Sequence, residues 1–243
     1  MLEHPRLDSA LAFLAQLFGG GSLVLFLVGP RGYVDVGLGD AGVLAWDAAL
    51  CLAFFLQHSL MVRRWAKARM ARRIPVRDLG ALYAVGSGAV LAAVMLLWQR
   101  TAVRLVSVEG PLRWTGWLGV ALAVAGFWWG IASLRRFDPF GVGAIRRHRR
   151  GRPEREPELV IRGAYRWVRH PLYLSMLVLI WSSLDLTTDR LLFDVIWTAW
   201  IVVGTFLEER DLVAELGPAY VAYQQRVPML LPWRRPVGVS LSR

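Results

Sequence analysis

Cysteine and lysine are almost absent from this sequence. Cys51 is the one cysteine and Lys67 the one lysine among 243 residues. A single cysteine excludes an intrachain disulfide, a CxxC motif and a cysteine-based zinc site. The cations are therefore nearly all arginine, and they give the chain a formal net charge of +11.

The motifs of soluble catalytic folds are missing as well. The histidines are scattered, with no HExxH and no His/carboxylate pair at ligand spacing, so we expect no metal site. No GxGxxG follows a strand and no Walker loop is present, which excludes the soluble nucleotide-binding folds. No base-reading motif or basic stripe with interleaved aromatics is found, so the positive charge does not indicate a nucleic-acid partner.

The apolar content is high: 56% of the residues are hydrophobic and 12 are Trp. A chain of this length cannot bury so much apolar surface in its own core, so the composition predicts a membrane protein. We expect an all-α, polytopic membrane helix bundle with six transmembrane helices, or five if the shortest apolar run does not cross. The expected spans are about 10–29, 42–62, 79–98, 115–134, 171–184 and 191–207.

The placement of arginine gives an expected orientation. With six spans, the segments on one side hold 24 of the 29 Lys and Arg, and the loops on the other side hold five. Cytoplasmic loops concentrate Lys and Arg, so we expect both termini to be cytoplasmic. The first apolar run is too long for a signal-peptide core and lacks an A-x-A cleavage site, so we expect it to be a retained span.

One charged stretch, residues 146–163, is expected to be a cytoplasmic loop. It carries two prolines and many arginines. Long loops between helices are often functional, although a disordered basic tether would have the same composition.

Two ionisable residues fall within the second expected span. Asp47 and His58 are eleven residues apart, about three turns, so they share one helix face. His58 is either a base or polar clamp that faces a cavity, or an interfacial histidine in contact with headgroups. Asp47 is expected to be a helix-packing residue.

Two adjacent carboxylates, Glu208 and Glu209, close the last expected span. Neighbouring residues point in different directions on a helix, so they are not an acid/base dyad. We expect one to face a cavity and the other the interface, where Arg210 pairs with it. Carboxylates at a helix C-terminus oppose the helix dipole, so a cation is expected near Glu208.

The sequence VRHPLYLS (168–175) marks the entry to the fifth expected span. Pro171 suits a first helical turn, where its missing N–H is not needed. Arg169 and His170 would precede this helix and Tyr173 would lie one turn inside it. Topology signals and an aromatic belt account for these residue types one by one. Taken with Glu208, however, the group predicts a cytoplasm-facing pocket for a ligand carrying both a carboxylate and a cationic centre.

The C-terminal half resembles the integral-membrane methyltransferases related to isoprenylcysteine carboxyl methyltransferase. Their pattern G-x-Y-x-x-x-R-H-P-x-Y, then E-E, then G-x-x-Y-x-x-Y-x-x-x-V-P is complete between residues 163 and 228. In the N-terminal half QHSLMVR, LLWQR and RFDPFG resemble the branch that contains methanethiol S-methyltransferase, NnrU-type proteins and nurim.

This resemblance implies S-adenosylmethionine as the cofactor and a small membrane-permeable methyl acceptor, most simply a thiol. Gly204 replaces an arginine that orients the substrate in the carboxyl methyltransferases, which disfavours a carboxylate acceptor. A thiol reacts as its thiolate, so a base is expected: His58 is the first candidate and Asp138 the second. The implied cofactor-binding residues are Glu158, Leu159, Val160, Tyr165, Arg169, His170, Pro171, Leu172, Tyr173 and Glu208.

Other readings remain open at this point. The acceptor could be lipid-like or prenylated, or the protein could be a non-catalytic member of the nurim and NnrU type. Membrane lipids are expected partners, and no obligate protein partner is inferred. We expect a single integral-membrane domain over 1–243, with a four-helix part at 1–134, a cofactor-binding part at 135–233 and a short polar tail at 234–243.

Overall fold

The long apolar runs of the sequence form long helices. The computed structural model describes residues 5–30, 32–134, 138–153 and 158–238. In chain order its helices are α1 (Pro5–Val28), α2 (Asp40–Val62), α3 (Arg64–Met70), α4 (Val76–Leu97), α5 (Arg113–Ser133), α6 (Val142–Arg149), α7 (Pro171–Ile180), α8 (Thr188–Leu216) and α9 (Pro218–Arg226). Two short strands, β1 (Arg104–Val106) and β2 (Leu186–Thr187), pair antiparallel.

Five of the described helices, α1, α2, α4, α5 and α8, are long and apolar enough to cross a membrane. Their outer surfaces carry large apolar side chains, for example Phe13 and Trp128, whose exposed fractions are 63% and 75%. Such surfaces suit lipid rather than water. The chain is therefore an all-α, polytopic membrane protein, as the composition predicts.

The fifth expected span, 171–184, is shorter as a helix than predicted. α7 ends at Ile180 after ten residues, which is about 15 Å of helix and half of a hydrocarbon core. The chain from Ala164 to Asp185, which contains α7, nevertheless runs the length of α5. It begins where Ala164 N donates to Ser133 Oγ, at one end of α5, and ends where Arg113 contacts Asp185 at 2.6 Å, at the other.

Small residues let α7 approach α5 closely. A Cβ added at Gly130 would lie 2.6 Å from Leu172 Cδ2, and one added at Gly126 would meet the buried hydroxyl of Ser175. Ser175 Oγ donates to the carbonyl of Pro171 at 2.9 Å. Packing of this kind, with small residues at the contact, is typical of membrane helices.

Two compact units make up the chain, residues 1–103 with 138–155 (the first unit) and residues 104–137 with 156–243 (the second unit). The fourth expected span, α5, belongs with the C-terminal helices rather than with the first three spans, because it packs on α7. The expected boundary at residue 134 therefore does not match this division.

In the first unit α4 packs against α1 and α2. A Cβ added at Gly88 would lie 2.5 Å from the backbone of Phe18, so the helices α1 and α4 touch through their main chains. Asp47 is fully buried and accepts a hydrogen bond from Gln99 N at 2.9 Å, just beyond the end of α4. Asp47 thus has the packing role expected of it.

The loop expected over 146–163 is wrong in its first four residues, which belong to α6. Val142 and Ile145 are three apart and therefore share one helix face. Both are buried against Ala15, Ala81 and Ala84 of α1 and α4. Residues 146–163 give no sign of this contact, because the apolar residues that make it, Val142 and Ile145, lie just before the stretch.

In the second unit α9 follows α8 after a turn at Gly217. Tyr220, Tyr223 and Val227 form a small buried cluster. Val237, from the segment expected to be a polar tail, packs against that cluster. Its N–H donates to the carbonyl of Arg166 at 3.2 Å, and Arg166 Nε donates back to its carbonyl at 2.6 Å.

Candidate cofactor site

The last turns of α8 place Glu209 at the centre of a buried polar network. Glu209 is only 6% exposed. The guanidinium of Arg169 makes a bidentate pair with this carboxylate: Nε donates to Oε1 at 2.8 Å, and Nη2 donates to Oε2 at 2.7 Å. His170 Nε2 lies 2.7 Å from Oε1. A paired and fully hydrogen-bonded carboxylate of this kind can remain charged in a buried position.

Helix α9 supplies the other donors to this carboxylate. Tyr220 donates its hydroxyl to Oε1 at 2.7 Å, and Gln224 Nε2 donates to Oε2 at 2.6 Å. The expectation that the second carboxylate faces the interface and pairs with Arg210 is therefore wrong. Glu209 is buried, whereas Arg210 is exposed. Through these hydrogen bonds, Glu209 on α8 holds Arg169 and His170, which precede α7, together with α9.

The Arg169–His170 segment is held in place by backbone hydrogen bonds to the residues that follow α9. Arg169 N donates to Pro228 O at 2.9 Å, and His170 N donates to Met229 O at 3.1 Å. Arg169 Nη1 also donates to the carbonyls of Gln224 and Val227. Helix α7 then begins at Pro171, as predicted.

The preceding residue, Glu208, has a different environment. Its side chain is 42% exposed, and Tyr173 donates its hydroxyl to Oε2 at 2.5 Å. The rings of His170 and Tyr173 are stacked, with centroids 5.4 Å apart and planes 6° from parallel. His170 Nδ1 lies 4.0 Å from Glu208 Oε2, so this one imidazole faces both carboxylates. It is the positive partner expected near Glu208 only when it is protonated.

These groups open onto a cavity of about 460 Å³ in the second unit, a volume typical of small-molecule sites. Nine of the ten predicted cofactor-binding residues line it. Pro171 is the exception: it is buried at the first position of α7. The full lining is Leu134, Glu158, Leu159, Val160, Tyr165, Arg169, His170, Leu172, Tyr173, Glu208, Leu212, Leu216, Tyr220 and Tyr223.

Five lining residues were not among the predicted ones. Leu212 and Leu216 follow Glu208 at steps of four, so they lie on the same face of α8. That spacing was available in the sequence as a signal. Tyr220 and Tyr223 are the two fixed tyrosines of the G-x-x-Y-x-x-Y motif, and only their motif membership marked them. Leu134 directly follows the last residue of α5, and no sequence signal pointed to it.

Three tyrosines of the cavity have a raised pKa and are therefore neutral. Burial, and then the charge of Glu208, raises the pKa of Tyr165 to about 12. Burial raises the pKa of Tyr223 above its usual value, and burial with the hydrogen bond to Glu209 does so for Tyr220. At neutral pH these side chains are therefore hydrogen-bond donors and aromatic surfaces rather than anions.

This arrangement suits a ligand with a cation and an aromatic ring. The half-exposed carboxylate of Glu208 is the anionic group on the wall, and Tyr165, Tyr173 and the apolar leucines offer flat and apolar surface. The guanidinium of Arg169 donates four hydrogen bonds within the protein. Its role in this structure is therefore chiefly to hold the site together.

Comparison with known proteins now places the chain. The family model described as "Protein of unknown function (DUF1295)" matches residues 55–227. The chain belongs to the DUF1295 family. No solved structure matches it.

Several named proteins are similar to this chain over most of their length. Methanethiol S-methyltransferase of a Pseudomonas species is 36% identical over 94% of this chain and 90% of the relative. The protein of the same name from Mycobacterium tuberculosis is 29% identical over 91% of this chain and 97% of its own length. Nurim of Rattus norvegicus is 29% identical over 70% of this chain and 68% of its own. These relatives confirm the branch indicated by the motifs.

The two predicted catalytic residues of this DUF1295 protein lie in its first unit. His58, on α2, has its Nε2 2.7 Å from the hydroxyl of Tyr83 on α4, and its ring also contacts Phe54. Asp138 Oδ2 accepts a hydrogen bond from Gly143 N at 2.7 Å, in the first turn of α6. A carboxylate that accepts a backbone N–H from the first turn of a helix has a structural use.

A second cavity, of about 710 Å³, lies in the second unit along a different face of α8. It is mostly apolar, with Val203, Phe206 and Val213 in its lining and Arg210 as an exposed cation. Arg169 lines both cavities, and its partner Glu209 lines this one. The buried ion pair therefore forms part of the partition between the two.

Proposed function

We propose that this protein is an integral-membrane S-methyltransferase that transfers a methyl group from S-adenosylmethionine to a small thiol such as methanethiol. The observation that carries the proposal is the 36% identity, over 94% of this chain, to a relative named methanethiol S-methyltransferase. The cavity supports it independently, because residues implied by family resemblance alone come together around one space.

S-adenosylmethionine, when bound, supplies a methyl group on a positively charged sulfonium. In the proposed role, Glu208 offers its carboxylate to the cationic groups of this donor. Tyr165 and Tyr173 provide aromatic surface for the adenine, and Glu158, Leu159 and Val160 close the cavity on the side of the loop. Glu209 acts at a distance, by fixing Arg169 and His170 in place.

Transfer to a thiol needs alignment and a deprotonated sulfur. The thiolate electron pair forms the new carbon–sulfur bond as the sulfonium–methyl bond breaks, and the thiol proton goes to a base. Holding the two reactants in line contributes roughly 7–11 kcal/mol. His58 is our proposed base, because imidazole is the side chain that most often acts as a general base, and the hydroxyl of Tyr83 lies against its ring. Asp138 is the weaker candidate, since it is engaged at Gly143.

We also propose that both termini lie on the cytoplasmic side. The basis is that, with six spans, 24 of the 29 Lys and Arg fall on that side, as is typical of cytoplasmic segments. The path of residues 164–185 along α5 supports the even number of crossings that this orientation requires.

The test is an assay of purified protein in lipid nanodiscs with S-adenosylmethionine and methanethiol. We expect dimethyl sulfide and S-adenosylhomocysteine to form in equal amounts. His58→Ala is expected to lower kcat without weakening donor binding. Donor binding without turnover of any thiol would overturn the thiol as acceptor, and retention of full kcat by His58→Ala would overturn its role as base.

A further inference from the structure

The cations of the first unit are concentrated in two short segments. Residues 63–77 and 146–152 hold 12 of the 29 Lys and Arg and contain no Asp or Glu. The first segment comprises α3 and the turn between α3 and α4. The second comprises the end of α6 and the residues after it. Neither segment has been given a role in methyl transfer.

Both segments are fixed at one end of the membrane helices of this unit. The first joins the end of α2 to the start of α4. The second is anchored by Gly141, whose left-handed backbone (φ 66°) lies against Gly80 in the second turn of α4. Arg149 Nη1 donates to Ser9 Oγ at 3.0 Å, near the start of α1. The ends of α1, α2 and α4 therefore meet on the side that carries these arginines.

Six exposed arginines on this side form what we name the cationic face: Arg69, Arg72, Arg73, Arg146, Arg150 and Arg152. Its members make no ion pair within the described residues. Like charges at neighbouring positions repel one another, and a bound anion relieves that repulsion. Trp65 of α3, 62% exposed, stands among them.

We propose that the cationic face binds the headgroups of anionic phospholipids. It lies where membrane helices begin and end, which is headgroup depth, and an exposed Trp is the side chain typical of that depth. Each Lys or Arg near an anionic membrane surface strengthens binding by about fivefold, which corresponds to about 1 kcal/mol. This inference does not depend on the methyltransferase proposal.

The experiment is native mass spectrometry of the full-length protein from mixed micelles that contain equal amounts of phosphatidylcholine and phosphatidylglycerol. The wild type is expected to retain phosphatidylglycerol in preference. Arg72→Gln/Arg73→Gln and, separately, Arg150→Gln/Arg152→Gln are each expected to lower that preference at least about fivefold. The matched control, Arg100→Gln/Arg104→Gln, removes two arginines that follow the other end of α4 and is expected to retain it.

Added salt supplies a second measurement that needs no variant. The preference of the wild type is expected to fall as ionic strength rises, because exposed charges are screened. Equal retention of the two lipids by the wild type overturns the proposal, as does an equal loss in the control variant. Binding of a short DNA duplex by a protein that shows no lipid preference would also overturn it and assign the face to nucleic acid.

Discussion

Glu208 and Glu209 are consecutive in the chain, yet they serve opposite sides of the same site. Glu209 is buried and bound by Arg169, His170, Tyr220 and Gln224. Glu208 is half-exposed on the cavity wall, with Tyr173 as its hydrogen-bond donor. Side chains at neighbouring positions of a helix point about 100° apart, so one carboxylate lies in the protein and the other lies on the cavity wall.

Glu209→Gln is expected to destabilise the fold. Breaking a buried ion pair by removing one partner costs about 3–5 kcal/mol, because the remaining charge is left buried. Arg169 would keep only its bonds to carbonyls and to a neutral amide. Thermal unfolding in detergent measures the effect as a lower Tm. Glu208→Gln is the matched control, one position away and half-exposed, and equal Tm changes in both variants would contradict the assignment.

Glu208→Gln is expected to weaken donor binding while leaving the fold intact. A hydrogen bond to a charged group contributes about 1.5–3 kcal/mol, which is roughly 10- to 150-fold in Kd. Tyr173→Phe should weaken binding by less, since it removes only the group that orients the carboxylate. Calorimetric titration with S-adenosylmethionine measures both. Wild-type affinity in Glu208→Gln would remove this residue from the site.

Val237→Asp is expected to destabilise the packing that supports one wall of the cavity. Val237 packs on the cluster of Tyr220 and Tyr223, which line the cavity, and its backbone pairs with Arg166. A carboxylate in this apolar contact should lower both Tm and donor affinity. Arg235→Ala, an exposed change two residues earlier, is the control. If Val237→Asp behaves like this control, the segment does not support the site.

Gly130→Ala is expected to disturb the site through Leu172. The added Cβ would lie 2.6 Å from Leu172 Cδ2, and Leu172 lines the cavity. Overpacking of this kind costs about 1–3 kcal/mol. The double variant Gly130→Ala/Leu172→Ala should recover part of the loss, because the clashing atoms are gone. Gly21→Ala, where no atom lies within 4 Å, is the control. No recovery in the double variant would place the strain elsewhere.

The sequence predicted the membrane class and most of the lining of the cavity for two physical reasons. Apolar runs of helical length have few alternatives in lipid, so five spans followed directly. The residues of the RHP-x-Y segment lie beside one another in the chain and therefore remain together in the fold. Family resemblance added Glu158, Leu159 and Val160, which no pattern of residues alone would have marked.

What escaped prediction depends on tertiary contacts. Adjacency shows that two carboxylates diverge but not which one is buried, and the buried one was assigned to the interface with Arg210. The role of Val237 depends on where the chain returns, and a short tail has no periodicity to reveal that. α7 ends four residues before the predicted limit, and the carbonyl of Ile180 at its end accepts a hydrogen bond from the side chain of Arg190 on α8.

The most direct test of the proposed function is calorimetric titration of the purified, folded protein with S-adenosylmethionine, in parallel with Glu208→Gln. We expect saturable binding by the wild type, one donor per chain, that is at least about tenfold weaker in the variant. A folded wild-type protein that does not bind S-adenosylmethionine would contradict the methyltransferase proposal at its centre.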